Sequence, residues 1–189
     1  MYRLNNGTDE DRIHAALLNG FKEVRSSMQR SRRKLLPPLP TDRADVVLPV
    51  EYQRSDRNEP FMIINDGAED RILAFSTVNN LRALCNADVV FGDGTFYACP
   101  QHFSQIYTLH AVISDTMFPL VYAYLPSKTE ETYVRFLRLL DNVLATNNLL
   151  LHPERVMLDF ELAAHNAWRT IRPNIAISKY RPKQKMTNK

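Results

Sequence analysis

The stretch from residue 88 to residue 171 constrains the fold more than any other part of this 189-residue chain. Apolar and alternating runs predict three strands, at residues 88–93, 105–114 and 118–125. The short link at residues 115–117 predicts that the second and third strands form an antiparallel hairpin. Apolar residues at helical spacing then predict helices at residues 130–144 and 161–171, separated by a strand at 155–158. This order predicts an α/β fold with a mixed sheet and flanking helices.

The whole chain divides into four predicted regions. Residues 1–36 form a basic N-terminal helical segment, which ends at the prolines that begin at Pro37. Residues 37–60 are predicted to be a linker, residues 61–172 the core, and residues 173–189 a basic tail. Two short strands, at residues 61–64 and 71–75, and a helix at 77–87 open the core. Nothing in the chain repeats.

Basic residues are concentrated near the two ends of the chain, although the net charge is only +3. The candidate DNA-binding residues are Arg30, Arg32, Arg33 and Lys34 near the first helix end, Lys128 in a loop, and Lys183 and Lys185 in the tail. Such clusters bind phosphates or act as nuclear localisation signals. The alternative is a solvated helix end, a solvated loop lysine and a disordered tail.

Other classes of site and partner are not predicted. No apolar run reaches the roughly 18 residues that span a bilayer, so a membrane protein is not expected. The two cysteines, Cys85 and Cys99, lie in no close Cys/His cluster, so no zinc site is expected. The histidines likewise show no metal-ligand spacing.

Two aspartates follow apolar runs that read as buried strands: Asp93, between Gly92 and Gly94, and Asp159. A carboxylate in such a place must be solvated, paired or metal-bound. Mg²⁺ prefers hard oxygen ligands, and the flanking glycines leave space for an ion or a phosphate. Glu161 is either a helper ligand or a favourable charge at a helix start. The alternative is structural, because Asp-Gly is a common turn pair and Asp159 is a candidate helix N-cap.

The order of elements in the core resembles the ribonuclease-H-like fold. In that fold the first and fourth strands are neighbours, so Asp93 and Asp159 are expected side by side at one sheet edge. Fold alone does not establish function.

The core also resembles the transposase domain of Mutator-like elements, the MULE domain. The resemblance covers roughly residues 61–172 and rests on an ordered series: Asp93-Gly94-Thr95-Phe96, Pro100, residues 105–110, residues 118–123, Lys128 with Thr132-Tyr133, and Asp159-Phe160-Glu161 with Ala163 and Ala167. It implies DNA transposition by an Asp-Asp-Glu triad with Mg²⁺ or Mn²⁺. Asp93 matches the first acid and Asp159 the second.

The resemblance stops before the third acid of that triad, which in the family lies on a later helix. The sequence therefore predicts a core that is incomplete at its C-terminus and inactive by itself. DNA is the expected partner, the nucleus the expected compartment, and a homo-oligomer is compatible with the family. The alternative is a domesticated, non-catalytic module that binds DNA or protein.

Overall fold

The computed structural model describes residues 40–179, together with Arg25, Ser27, Met28, Arg30 and Ser31, which are exposed and helical. Residues 40–179 form an α/β unit with one mixed, seven-stranded sheet. The strands are β1 (Met62–Asp66), β2 (Ile72–Phe75), β3 (Val89–Thr95), β4 (Gln105–Ile113), β5 (Thr116–Leu125), β6 (Arg155–Leu158) and β7 (Ala176–Lys179). The helices are α1 (Val78–Cys85), α2 (Glu130–Thr146) and α3 (Leu162–Ile171), with a 3-10 turn at Val50–Gln53. The predicted α/β class with a mixed sheet and flanking helices is confirmed.

The strands lie in the order β1-β2-β5-β4-β3-β6-β7. The pairs from β1 to β3 are antiparallel, whereas β6 pairs in parallel with both β3 and β7. The hairpin between β4 and β5 is tighter than the sequence predicted. Its turn is the pair Ser114 and Asp115, both with positive φ, so Thr116 and Met117 belong to β5. Two left-handed residues suit the right-handed twist of the strands that they join.

The two longer helices form where apolar residues recur at helical spacing. In α2 the buried residues are Tyr133, Phe136, Leu137, Leu140 and Leu144, and in α3 they are Ala164, His165, Ala167 and Trp168. Helix α2 begins at a cap in which the Thr129 side chain accepts a hydrogen bond from the Thr132 amide. Complete burial of each large apolar side chain contributes about 1.5–3 kcal/mol.

These helices pack on one side of the sheet, which we call the helix face. Tyr107 marks it: the ring is buried in edge-on contact with Tyr133 at 5.0 Å and Phe136 at 5.9 Å between centroids. Because side chains alternate along a strand, Thr108 points to the other side. Asp93 is directly opposite Thr108 in the ladder, so we call this second side the aspartate face.

Aromatic rings and the segment before β1 complete the unit. Phe61, Phe75, Tyr124 and Phe103 form a row of neighbouring rings with centroids 5.6–5.8 Å apart. Residues 40–60, which the sequence analysis treated as a linker, belong to the same compact unit. For example, Arg43 donates to the Pro126 carbonyl at 2.9 Å. At the other end, β7 extends the sheet to Lys179, beyond residue 172.

None of the helices among the described residues is long and apolar enough to cross a membrane.

Candidate carboxylate site

The carboxyl ends of four strands meet at one edge of the sheet. Strands β3, β6 and β7 are parallel to one another, and β5 also runs this way because β4 is antiparallel to both β3 and β5. Ligands of α/β proteins commonly bind at such an edge. In the parallel ladder Gly92 pairs with Leu158, so the next residues, Asp93 and Asp159, follow at the same level. The predicted adjacency of the two strands that carry the aspartates is therefore confirmed.

Asp93 is partly buried on the aspartate face, and a short chain of hydrogen bonds fixes its backbone. The Thr108 hydroxyl donates to the Asp93 carbonyl at 3.1 Å, and its oxygen lies 2.8 Å from His110 Nε2. Because a hydroxyl has one proton to give, His110 Nε2 is the donor in the second bond. Burial lowers the pKa of His110, whereas the negative charge of Asp93 raises it. The net lowering favours the neutral ring.

Asp159 lies in the turn from β6 into α3. Its Oδ1 atom accepts a hydrogen bond from the Glu161 amide at 3.1 Å, and its carbonyl accepts one from His165 Nε2 at 2.7 Å. The structure makes Glu161, not Asp159, the N-cap residue of α3. The alternative prediction that Asp159 is the helix N-cap was therefore wrong, although its carboxylate does accept a hydrogen bond at the start of α3.

Glu161 lies close to the helix-face side of β3, away from the face that carries Asp93. A β-carbon placed on Gly94 would lie 3.5 Å from Glu161 Oε2 and 2.8 Å from Gln105 Oε1. Both oxygens are buried, and neither has a hydrogen-bond partner among the described residues. Burial raises the pKa of Glu161 and nearby Asp159 raises it further, while the Tyr133 hydroxyl and Lys128 lower it. Two acceptors without a donor mark a place for a proton, a water or a cation.

The place of Gln105 beside Glu161 was not predicted from the sequence. Gln105 is fully buried, and its Nε2 donates to the Tyr133 hydroxyl at 2.5 Å. The available signal was alternation: Gln105 shares its strand face with Tyr107 and Leu109, which places an amide in an apolar row. On the aspartate face, Thr108 and His110 are likewise polar residues at alternating positions of β4.

Beneath the carboxylates, the helix face is fully packed. The Trp168 indole donates to the Tyr107 hydroxyl at 3.1 Å, and both side chains are buried. Trp168 is therefore a core residue. Burial holds the pKa of Tyr107 far above its usual value, and the negative charges of Asp159, Glu161 and Asp93 raise it further. The Tyr107 hydroxyl is therefore a fixed neutral group below the site.

The predicted DNA-binding residues divide into three groups. Lys128 lies at the carboxylate edge, close to Glu161, with its Nζ 3.5 Å from the centre of the Phe96 ring. Arg30 is on the exposed helical segment. The remaining candidates lie outside the described residues: Arg32, Arg33, Lys34, Lys183 and Lys185.

Asp93 in β3 and Asp159 just after β6 lie at the same sheet edge, whereas Glu161 Oε2 lies on the helix-face side of β3, with its backbone amide hydrogen-bonded to Asp159. Within residues 40–179 and the five helical positions, no three His, Cys, Asp or Glu side chains converge on a common point. Mg²⁺ is often held by one or two carboxylates, with water and substrate phosphates as the other ligands. Asp93 and Asp159 fit that limited role.

Comparison of the chain with protein-family models, with curated proteins and with solved structures finds no significant match.

Proposed function

We propose that this domain is a transposase-derived, ribonuclease-H-like core, related to enzymes that cut and join DNA with divalent metal ions. The observation that carries the proposal is the parallel pairing of β3 and β6, which brings Asp93 and Asp159 to one sheet edge. The order of elements from β3 to α3 supports it: three antiparallel strands, then a helix, a strand and a helix. DNA is then the partner, and the nucleus the compartment.

Asp93 and Asp159 are the residues that would hold Mg²⁺ or Mn²⁺. When bound, such an ion neutralises charge on a phosphodiester and activates a nucleophile. The chain itself positions the carboxylates, since the Thr108–His110 pair holds the Asp93 backbone and His165 holds that of Asp159. Lys128 adds a positive charge at the same edge, which attracts phosphate. Glu161 acts through its charge, because its oxygens lie towards the other side of β3.

We further propose that the described domain binds metal weakly and does not cut DNA by itself. Cleavage by two ions needs several carboxylates around ions about 4 Å apart. Two aspartates provide an incomplete set of ligands.

A metal titration tests the carboxylate pair. Free Mn²⁺, measured by electron paramagnetic resonance, should fall as the full chain is added. The change Asp93→Asn or Asp159→Asn should weaken Mn²⁺ binding about tenfold, the equivalent of one contact of about 1.4 kcal/mol. Asp88→Asn is the matched control, because Asp88 is exposed and adjoins the opposite end of the same strand. Equal weakening by the control, or none by the two test variants, would contradict the metal pair.

A nicking assay on supercoiled plasmid with Mn²⁺ tests the inactivity separately. We expect no nicking above the level seen without protein. Nicking that Asp93→Asn abolishes and Asp88→Asn leaves intact would overturn the inactivity and keep the metal pair.

The second candidate function is a non-catalytic module that binds DNA or protein. The bond between Asp159 Oδ1 and the Glu161 amide favours it, because this carboxylate already has a structural task at the start of α3. A chain that binds no Mn²⁺ but retains salt-dependent DNA binding would support this module over the metal-dependent core.

A further inference from the structure

Large aromatic side chains are exposed at the same edge as the carboxylates. Phe96 and Tyr97 follow β3 and are 46% and 104% exposed, and Phe160 follows β6 and is 57% exposed. Leaving such rings in water forgoes the stabilisation that burial gives. Their shared place at the ends of two neighbouring strands therefore points to a ligand with apolar, planar parts.

A lysine accompanies two of these three rings. Lys128 Nζ lies 3.5 Å from the centre of the Phe96 ring, and Lys179 Nζ lies 5.3 Å from that of Phe160. Each pair is within the range of a cation–π interaction, which keeps the ammonium group beside the ring. The edge thus offers positive charge and aromatic surface at two separate points.

The two ring–lysine pairs adjoin the carboxylates. The tip of the Phe96 ring lies 3.4 Å from where a β-carbon on Gly94 would be, and Glu161 Oε2 lies 3.5 Å from the same point. Phe160 stands between Asp159 and Glu161 in the chain, and Lys179 pairs with Leu158 in the ladder between β6 and β7. A polymer that crosses the carboxylate edge would therefore meet one ring–lysine pair after β3 and another after β6.

We propose that this edge binds single-stranded or frayed DNA, with bases stacked on Tyr97 and Phe160 and phosphates held by Lys128 and Lys179. The inference rests on the proposed function and adds the form of the substrate. Exposed rings stack on unpaired bases, whereas the bases of an intact duplex already stack on one another. The accompanying lysines favour nucleic acid over protein, because the centres of protein interfaces are depleted of lysine.

The test measures binding of the full chain to fluorescent oligonucleotides by anisotropy, with EDTA present. The probes are a single-stranded oligo-dT, an abasic strand of equal length and charge, and a blunt duplex. Because EDTA removes divalent ions, the result does not depend on the metal site. Single-stranded DNA should bind more tightly than either of the other probes. Stacking contributes about 1–3 kcal/mol per base, which corresponds to roughly a 5- to 150-fold change in affinity.

Substitutions then assign the effect to the rings. Tyr97→Ala and Phe160→Ala should each weaken oligo-dT binding by that factor and leave abasic binding unchanged. Tyr97→Phe should retain affinity, whereas Tyr97→Leu should lose it, because leucine is apolar but not planar. Because the Tyr97 side chain is fully exposed, the three Tyr97 substitutions do not disturb packing. Tyr52→Ala is the matched control, since Tyr52 is half-exposed and precedes the core strands.

Three results would overturn the inference: equal affinity for oligo-dT and the abasic strand, equal weakening by Tyr52→Ala, or tighter binding to the duplex. Absence of binding to every probe would also overturn it. None of these results bears on Mn²⁺ binding by Asp93 and Asp159, so the two proposals fail independently.

Discussion

Two glycines on β3 separate two regions of the helix face that have opposite properties. A β-carbon on Gly92 would collide with the Tyr107 hydroxyl and with Leu158 Cδ2, which belong to a fully packed interior. Two residues later, a β-carbon on Gly94 would approach Gln105 Oε1 and Glu161 Oε2, which are buried without partners. The first region is apolar and fully buried, whereas the second holds two buried acceptor oxygens without partners. The packed interior therefore extends to Gly92, and the buried oxygens without partners lie around Gly94.

This difference is typical of proteins whose sites contain locally unfavourable features. Buried polar atoms without partners cost free energy, so a fold retains them mainly where a ligand completes them. The tight packing under Gly92 offsets that cost and holds the strand ends in place. Four predictions test this contrast, from the largest expected effect to the smallest.

Removal of Trp168 should have the largest effect, because it opens the packed region. Trp168→Ala should lower the free energy of unfolding by about 3–5 kcal/mol, through a cavity and through loss of the bond to the Tyr107 hydroxyl. Urea denaturation followed by circular dichroism measures it. Trp168→Phe keeps most of the ring volume and should cost much less. Equal losses for both variants would mean that the hydrogen bond, not the packing, dominates.

The two glycines provide a direct comparison within one strand. Gly92→Ala should destabilise the protein by about 1–3 kcal/mol, because a buried tyrosine ring and a leucine must move. Gly94→Ala should cost less, since the atom in its way is the end of the Gln105 side chain. Urea denaturation of the two variants under identical conditions tests the difference. A larger loss at Gly94 would contradict the division that we draw.

Glu161→Gln should have the opposite sign and stabilise the domain at pH 7. The new amide can donate a hydrogen bond near Gly94, where two buried acceptor oxygens lack partners, a gain of about 1 kcal/mol. Burial raises the pKa of Glu161 in the folded state, so the wild-type protein loses stability as pH rises from 4.5 through that raised value. The advantage of the variant should therefore shrink below pH 4.5. Thermal unfolding across pH would show it, and a variant less stable at pH 7 would contradict it.

Substitution of His110, on the aspartate face, should have the smallest effect, which is a change in how stability depends on pH. Burial lowers the pKa of His110 in the folded state, so protonation favours unfolding, despite the opposing charge of Asp93. Its contribution is fully present above the ordinary value of 6.5 and is lost as pH falls through the lowered value. His110→Gln keeps a donor for Thr108 and should remove this pH-dependent loss of stability. Identical pH profiles for the two proteins would contradict this assignment.

Much of the fold followed from local patterns in the sequence. Five apolar residues of α2 recur at helical spacing, and all five are buried. The hairpin turn was placed too late, because Ser114 and Asp115 adopt left-handed geometry that gives little sequence signal without glycine. The participation of Ala176–Lys179 in the sheet depends on a distant pairing with β6, which local periodicity does not encode.

The site was predictable only in its central pair. Asp93 and Asp159 each follow a recognisable strand, and the order of elements was enough to place those strands side by side. The contact between Gln105 and Tyr133 was not predicted, because the two residues lie 28 positions apart and meet only when α2 packs on the sheet. Lys128 and Phe96 meet for a similar reason, since strand order brings the ends of β3 and β5 to the same edge.

The sequence by itself determined the type of the elements from β1 to α3 and the presence of a carboxylate at the ends of two strands. Those features depend on spacing of two or about 3.6 residues, which neighbouring residues fix. Only the tertiary structure decided that Asp93 and Glu161 lie on different sides of β3, and that exposed rings with lysines flank the carboxylates. Such relations depend on strand order and register, because pairing between distant segments decides which side chains share one edge of the sheet.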